Sequence, residues 1–250
     1  TYRWSREVFH AENERGRRFR LGGTGHPLIG FGAMTPGKSW VVDLTELGVP
    51  WLKDHCIDNV VLLPAAGFIE SALAVGHEIE GQTGVVLENL EIMAPLVVQS
   101  GDNPILYLDY DESRRALRFH SAKEEFSEMW IDHGKVDILS AAPWPMPVID
   151  RAMVEQALEQ GVDGAGLYEK IRNHGFHYGP RFQTLQRLAV QDRVAYARIG
   201  LTEDELGSAE AYHLHPALLD GAMHALIGLV PESFSDHMYV PVGFDRLSCF

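Results

Sequence analysis

The chain has 250 residues, 46% of them hydrophobic and 22% charged, an ordinary globular usage that excludes intrinsic disorder, collagen-like repeats and coiled coil. Its 35 acidic against 21 basic residues leave a formal net charge of −14. That balance argues against nucleic acid and anionic membrane as partners, since phosphate binding is driven by Lys and Arg, and no apolar run is long enough to span a bilayer.

Residues 1–22 carry six arginines against three glutamates and differ from the acidic remainder. They read as a linker that packs elsewhere in a longer polypeptide, and equally as a solvated basic arm. Both ends of the chain read as cuts in a multidomain protein. Turn-rich ground follows, with Gly25, Pro27, Gly30, Gly32 and Pro36. Trp40–Leu44 predicts a short strand, and Val60–Leu63 a strand buried on both faces, ended by Pro64. A helix is predicted from Ala65 to about Ile79, apolar nearly all round and therefore central. Four strands follow at Val85–Met93, Ile105–Tyr110, Leu117–His120 and Met129–Leu139.

A proline-marked connector leads to a helix at Asp150–Gln160, with Asp150 as its cap. A short helix is predicted at Leu167–Asn173, with strands at Phe182–Val190 and Arg193–Gly200. A second apolar helix runs from Pro216 to Val230, and strand character returns at Tyr239–Phe250. The order predicts an α+β fold of two halves, each a sheet with one central helix. The boundaries are a linker at 1–22, a first half at 23–139, an inter-half linker at 140–163 and a second half at 164–250. Cys56 and Cys249 form no CxxC pair and read as buried thiols of a reducing, cytoplasmic setting.

GxSxG, Walker A, GxGxxG and HExxH frames are all missing. Histidines occur in pairs (His174 with His177, His213 with His215) and never as a triad of ligand spacing, so no metal is expected. His55 stands just before the run that ends at Pro64. A base there would lie beside the open N–H groups of a helix starting at Pro64, Ala65 and Ala66, which suit an oxyanion. The same pattern fits a core histidine bonded to backbone. Asp220 sits in an apolar helix, with His224 one turn on. Buried unpaired, its carboxyl would stay protonated and serve as a general acid. An exposed stripe of an amphipathic helix is the other reading.

These residues also carry a resemblance. His55 to Pro64 resembles the HxxxGxxxxP motif of dehydratase domains in modular (type I) polyketide synthases, and Leu214 to His224 resembles their HPxLLDxxxQ/H motif. Tyr178-Gly179-Pro180-Arg181-Phe182 is similar to YGPxF, His26 to Gly30 to the opening HPLLG, and Val240 to Phe244 to a late LPxGF strand. Tyr2-Arg3-Trp4 with Arg6 is similar to the tail of the linker after an acyltransferase. The resemblance implies a double hotdog, two antiparallel sheets each wrapped on a central helix. It implies removal of water from a β-hydroxyacyl thioester on the phosphopantetheine of an acyl carrier protein, with no bound cofactor.

By position, His55 would take the α-proton and Asp220 would protonate the leaving hydroxyl. His224 would orient Asp220, while Tyr178, Gly179, Pro64 and Ala65 would position substrate. Asn59 replaces the motif glycine, a site of expected positive φ that Asn tolerates, and it puts tunnel width in question. Neighbouring synthase domains and a homodimer are implied partners. Arg114, Arg115, Arg118, Arg172 and Arg181 are candidates for a basic carrier-docking patch. The alternatives are a non-catalytic or carrier-binding double hotdog and a cyclising or isomerising variant.

Overall fold

The computed structural model describes residues 25–33, 37–45, 48–81, 84–98, 105–122, 129–141, 148–230 and 239–249. The basic arm at 1–22 and residues 142–147 of the connector lie outside the described residues.

Strands β1 (Phe31–Gly32), β2 (Lys38–Val42), β3 (Cys56–Ile57) and β4 (Val60–Val61) precede helix α1 (Ala65–Glu80). Strands β5 (Gly84–Ile92), β6 (Ile105–Asp111), β7 (Ala116–Ala122) and β8 (Ile131–Ala141) follow it. Helix α2 (Arg151–Glu159), β9 (Val162–Asp163) and α3 (Gly164–Arg172) come next, then β10 (Leu185–Gln191) and β11 (Val194–Ile199). Helices α4 (Glu203–Leu206) and α5 (Pro216–His224) and strand β12 (Gly243–Cys249) complete the order.

Seven strands form one antiparallel sheet in the order β1-β2-β6-β7-β8-β5-β12, and three form a second in the order β11-β10-β9. Helix α1 packs on β5 and β8 of the first sheet. Its residues from Ala65 to Gly76 are all buried, so the all-round apolar pattern marks a central helix as expected. Phe68, Ile69 and Leu73 are almost wholly inaccessible, and burying each contributes about 1.5–3 kcal/mol. Helix α5 and the 3₁₀ turn Ala225–Leu229 behind it pack on β10 and β11. This is the double hotdog arrangement, an α+β fold of two sheets on two central helices. The final strand β12 pairs antiparallel with β5, from Gly243↔Glu91 to Cys249↔Val85, and so joins the first sheet.

Asp150 caps α2 through the N–H groups of Ala152 and Met153, as expected. Three expectations are corrected. Val60–Leu63 is no strand buried on both faces; only Val60–Val61 is strand, half-buried, in a hairpin with β3. A uniformly apolar run does not reveal whether a hairpin or a sheet interior receives it. The α3 helix starts at Gly164 rather than Leu167, because Asp163 caps it by accepting from Ala165 N–H. Both cysteines are free but half-buried.

The two central helices are joined by Glu70, which is 0% exposed. Its Oε1 accepts from His213 N–H (2.6 Å) and its Oε2 from Leu214 N–H (2.9 Å), just before α5. His26 Nε2 lies 2.9 Å from Oε1. A carboxylate so deep is tolerated only because its lone pairs are taken. Glu70→Ala strands two backbone donors and should lower the unfolding free energy by about 3 kcal/mol in urea titrations.

Candidate active site

The β3–β4 hairpin is built by its turn. Cys56 pairs with Val61 and Ile57 with Val60, leaving the two-residue loop Asp58-Asn59 with φ of 49° and 63°. Two positive φ values are the mark of a type I′ hairpin turn, whose second position favours glycine. Asn59 occupies that position, which explains both the motif glycine and its tolerated replacement. Asn59 is exposed and does not line the cavity, so tunnel width does not depend on its side chain.

A segment of the second half holds the hairpin in place. Asp58 N–H donates to Gly175 O (2.7 Å), His177 N–H to Cys56 O (2.8 Å) and Gly179 N–H to Asp54 O (2.8 Å). Arg181 N–H donates to Asp54 Oδ2 at 3.0 Å. Gly179 lies outside the cavity lining, and its role here is close approach: a Cβ there would stand 2.4 Å from Asp54 Cγ. This stitching sets Tyr178 against His55, ring centroids 5.4 Å apart.

A cavity of about 350 Å³ opens between the halves, lined by His55, Pro64, Ala65, Tyr178, Asp220 and His224. The rest of its wall is mostly apolar, including Phe68, Ile92, Met93, Phe176, Met223 and Ile227. Six of the eight residues singled out from sequence thus meet at one surface, while Asn59 and Gly179 support it from behind.

His55 is 4% exposed. Its Nδ1 lies 2.8 Å from Leu62 O. A carbonyl only accepts, so Nδ1 carries the hydrogen and Nε2 is left with a lone pair. Burial pushes the imidazole below the usual histidine range, against the pull of Asp220. The ring is therefore neutral near neutral pH and basic at one defined nitrogen. Next to it, no side chain caps α1 at Pro64; Gly67 N–H donates to Pro64 O (2.8 Å), which leaves the N–H groups of Ala65 and Ala66 without a partner within the helix.

Asp220 is 5% exposed on α5. His224 Nε2 stands 2.8 Å from its Oδ2, though the two are poorly aligned for a hydrogen bond. Burial raises the carboxyl's affinity for a proton, but His224 and then His55 outweigh it and hold Asp220 below the ordinary carboxylate range. The expected lone protonated carboxyl is thereby corrected: Asp220 rests as an anion paired with His224. Burial, then Asp220 and Tyr168, push the Tyr178 phenol upward, so it keeps its proton.

Other candidates have other tasks. His215 caps α5 by accepting from Ala217 N–H at 3.2 Å, and its Nε2 faces Glu205. His213 stacks on His77 with centroids 3.9 Å apart. Among the described residues no three His, Cys, Asp or Glu side chains group as metal ligands. The five arginines form no single patch: Arg114 faces Asp111, Arg115 pairs with Glu80, and Arg181 pairs with Glu205. Arg118 lies on β7 and Arg172 on α3. Two buried residues of the site were not anticipated, Glu70 and Tyr168, whose hydroxyl lies 3.1 Å from His224 Nδ1.

A neutral imidazole facing a carboxylate–imidazole pair across a mostly apolar cavity between two hotdog halves is a site equipped for acid–base chemistry. Residues 26–122 match the family described as polyketide synthase dehydratase domain, and residues 150–250 match polyketide synthase dehydratase N-terminal domain. The chain belongs to the dehydratase domains of type I polyketide synthases.

It is 33% identical to polyketide synthase GfsE of Streptomyces halstedii over 81% of its own length and 29% identical to the mycoketide-CoA synthase of Mycobacterium tuberculosis over 83%. It spans 5% of the length of each of these curated relatives. The dehydratase domain from the CurK module of the curacin polyketide synthase matches with a TM-score of 0.74 and 29% identity, covering 89% of this chain and 81% of that one. Variants of the CurK dehydratase with one histidine changed to phenylalanine, or one aspartate to asparagine, are inactive mutants.

Asn59→Gly removes a left-handed non-glycine residue far from the cavity wall. It should raise stability by up to about 1 kcal/mol and leave turnover within about twofold, read from thermal unfolding and steady-state kinetics.

Proposed function

We propose that the domain is catalytically active and dehydrates a β-hydroxyacyl thioester carried on the phosphopantetheine of an acyl carrier protein, giving the α,β-unsaturated thioester during polyketide chain elongation. The observation that carries this is His55, held by Leu62 O so that its one basic nitrogen is Nε2, in the same cavity as the Asp220–His224 pair.

In this reading His55 Nε2 takes the proton from the α-carbon. Charge moves to the thioester oxygen, where the first-turn N–H groups of α1, beside Pro64 and Ala65, offer donors. The bond from the β-carbon to its hydroxyl breaks, and the Asp220–His224 pair, loaded beforehand with one proton from solvent, gives that proton to the oxygen, which departs as water; His55 then releases the α-proton to solvent and the pair takes one up again. Tyr178 keeps its phenolic hydrogen and is a donor for the β-hydroxyl. The inactive histidine and aspartate variants of the CurK dehydratase support an essential His and Asp in this family. No cofactor is needed, because base, acid and oxyanion donors are all protein groups.

The partners we infer are an acyl carrier protein, neighbouring domains of a cytoplasmic synthase and a second copy of the domain. With the arginines dispersed, linker tethering supplies effective concentration for the carrier. The two hotdogs are taken as 23–139 and 164–250, joined by 140–163 after a linker at 1–22.

The test is water loss from a synthetic 3-hydroxyacyl thioester, followed by mass spectrometry. His55→Ala and Asp220→Asn should each lower turnover by about 10²–10⁴-fold or more while the protein stays folded. A wild type that leaves both 3-hydroxy enantiomers intact would overturn the proposal.

The pH dependence has a definite sign. His55 must be neutral to act, and burial lowers its proton affinity, so the neutral form persists to more acid pH than in a free histidine. The acid limb of kcat/KM should therefore fall below about pH 6.5, measured on a pH–rate profile.

A further inference from the structure

We propose that Tyr168 is a positioning residue for the acid step: its hydroxyl reverses its hydrogen bond with His224 Nδ1, and so lets the Asp220–His224 pair take up and release the proton that the leaving hydroxyl needs. The proposal rests on the dehydratase reading and adds to it a residue outside the cavity lining.

Tyr168 lies on α3 and is 4% exposed. Its Oη accepts from Leu185 N–H at 3.0 Å, a bond that anchors the phenol oxygen wherever its own hydrogen points. The same oxygen lies 3.1 Å from His224 Nδ1. Burial pushes the phenol up to about 12, so its hydrogen is retained across the working pH range. The groups facing His224 are Asp220 from α5 itself, Tyr168 from α3, Tyr178 at a centroid distance of 4.5 Å and, across the cavity, His55.

In the resting pair Nε2–H faces the Asp220 carboxylate. Nδ1 is then a lone pair, and Tyr168 O–H donates to it. When the pair gains a proton, either His224 is an imidazolium with hydrogen on both nitrogens, or Asp220 is protonated and donates to a bare Nε2 while the ring's own hydrogen sits on Nδ1; Nδ1 carries hydrogen in both forms. Tyr168 Oη must then accept, and its own hydrogen turns to Thr184, which adjoins Leu185 and interacts with the phenol. Thr184 Oγ1 spends its hydrogen on Ala217 O at 2.9 Å and keeps lone pairs for that purpose. One hydroxyl thereby satisfies Nδ1 in both states.

Tyr168→Phe removes this device. An unsatisfied, charge-bearing N–H costs more than an unsatisfied lone pair, so the loaded state suffers most. The basic limb of the kcat profile, and the pair's proton uptake read by NMR of the His224 ring nitrogens, should both move about one unit to lower pH, with KM little changed. Thr184→Val removes the acceptor for the turned hydroxyl and leaves the Leu185 anchor, so it should shift both readouts the same way. It keeps the idea testable if Tyr168→Phe folds poorly.

In a His224→Gln background the amide offers donor and acceptor at once and does not titrate, so adding Tyr168→Phe should shift the limb no further. Folded variants whose limbs and nitrogen titrations superimpose on the wild type would overturn the proposal. A wild type that releases no water, yet shows the NMR shift in Tyr168→Phe, would overturn the dehydratase reading and support the role of Tyr168.

Discussion

The geometry of the site depends on a carboxylate that does no chemistry. Glu70 is inside the protein, on the central helix of the first half, and its acceptors are filled by backbone N–H groups that precede the central helix of the second half. An apolar contact tolerates sliding, but a buried anion does not, because each donor that moves away leaves charge without compensation. The bond therefore fixes α5 along α1. The start of α1, which lines the cavity through Ala65, is thereby set in register with Asp220 and His224. His26 of the opening motif closes the same carboxylate from a third direction.

Around that clamp His55 and Asp220 are tuned by opposite balances. Burial wins at His55, whose nearest polar partner is a carbonyl that holds the ring without adding a full charge. Burial loses at Asp220, where an imidazole one turn along the helix outweighs it. Both groups rest deprotonated in a mostly apolar chamber, and a proton taken up beside Asp220 is shared by two side chains rather than held by one. A single buried carboxyl held protonated by its surroundings would have been a simpler acid.

Much of this was legible in the residues. The helix at 65–80 and the strands at 84–92, 105–111, 116–122 and 131–141 follow apolar periodicity, which burial on one helix or one sheet enforces. The capping of α2 by Asp150 is local chemistry and was read as such. Asp220 stands out as an acid in an apolar helix, and His55 by its place just before the run that ends at Pro64 and a helix start. The same reasoning applied to Glu70, an acid in an otherwise apolar helix, would have found the clamp. Tyr168 offered no such signal: in Leu167-Tyr168-Glu169-Lys170-Ile171 it reads as one apolar position of a surface helix. Its task exists only through His224, 56 residues away. The Val60–Leu63 run misled because four apolar residues carry no period that separates a sheet interior from a short hairpin.

The hydrogen bonds that stitch the β3–β4 hairpin to 175–181 also bear on how the site comes into being. The Arg181–Asp54 bond spans 127 positions of the chain. On a growing polypeptide, the base and its hairpin emerge long before the segment that aligns them, and the loop between must close first. Strands β1, β2 and β5 to β8 can gather with α1 early around their own core, but the edge strand β12 and the chamber take shape only when the second half docks. High contact order of this kind makes its assembly a late and slow event of folding. The cavity that holds His55, Asp220 and His224 is thus missing from a partly made chain and closes only when residues of both halves are in place.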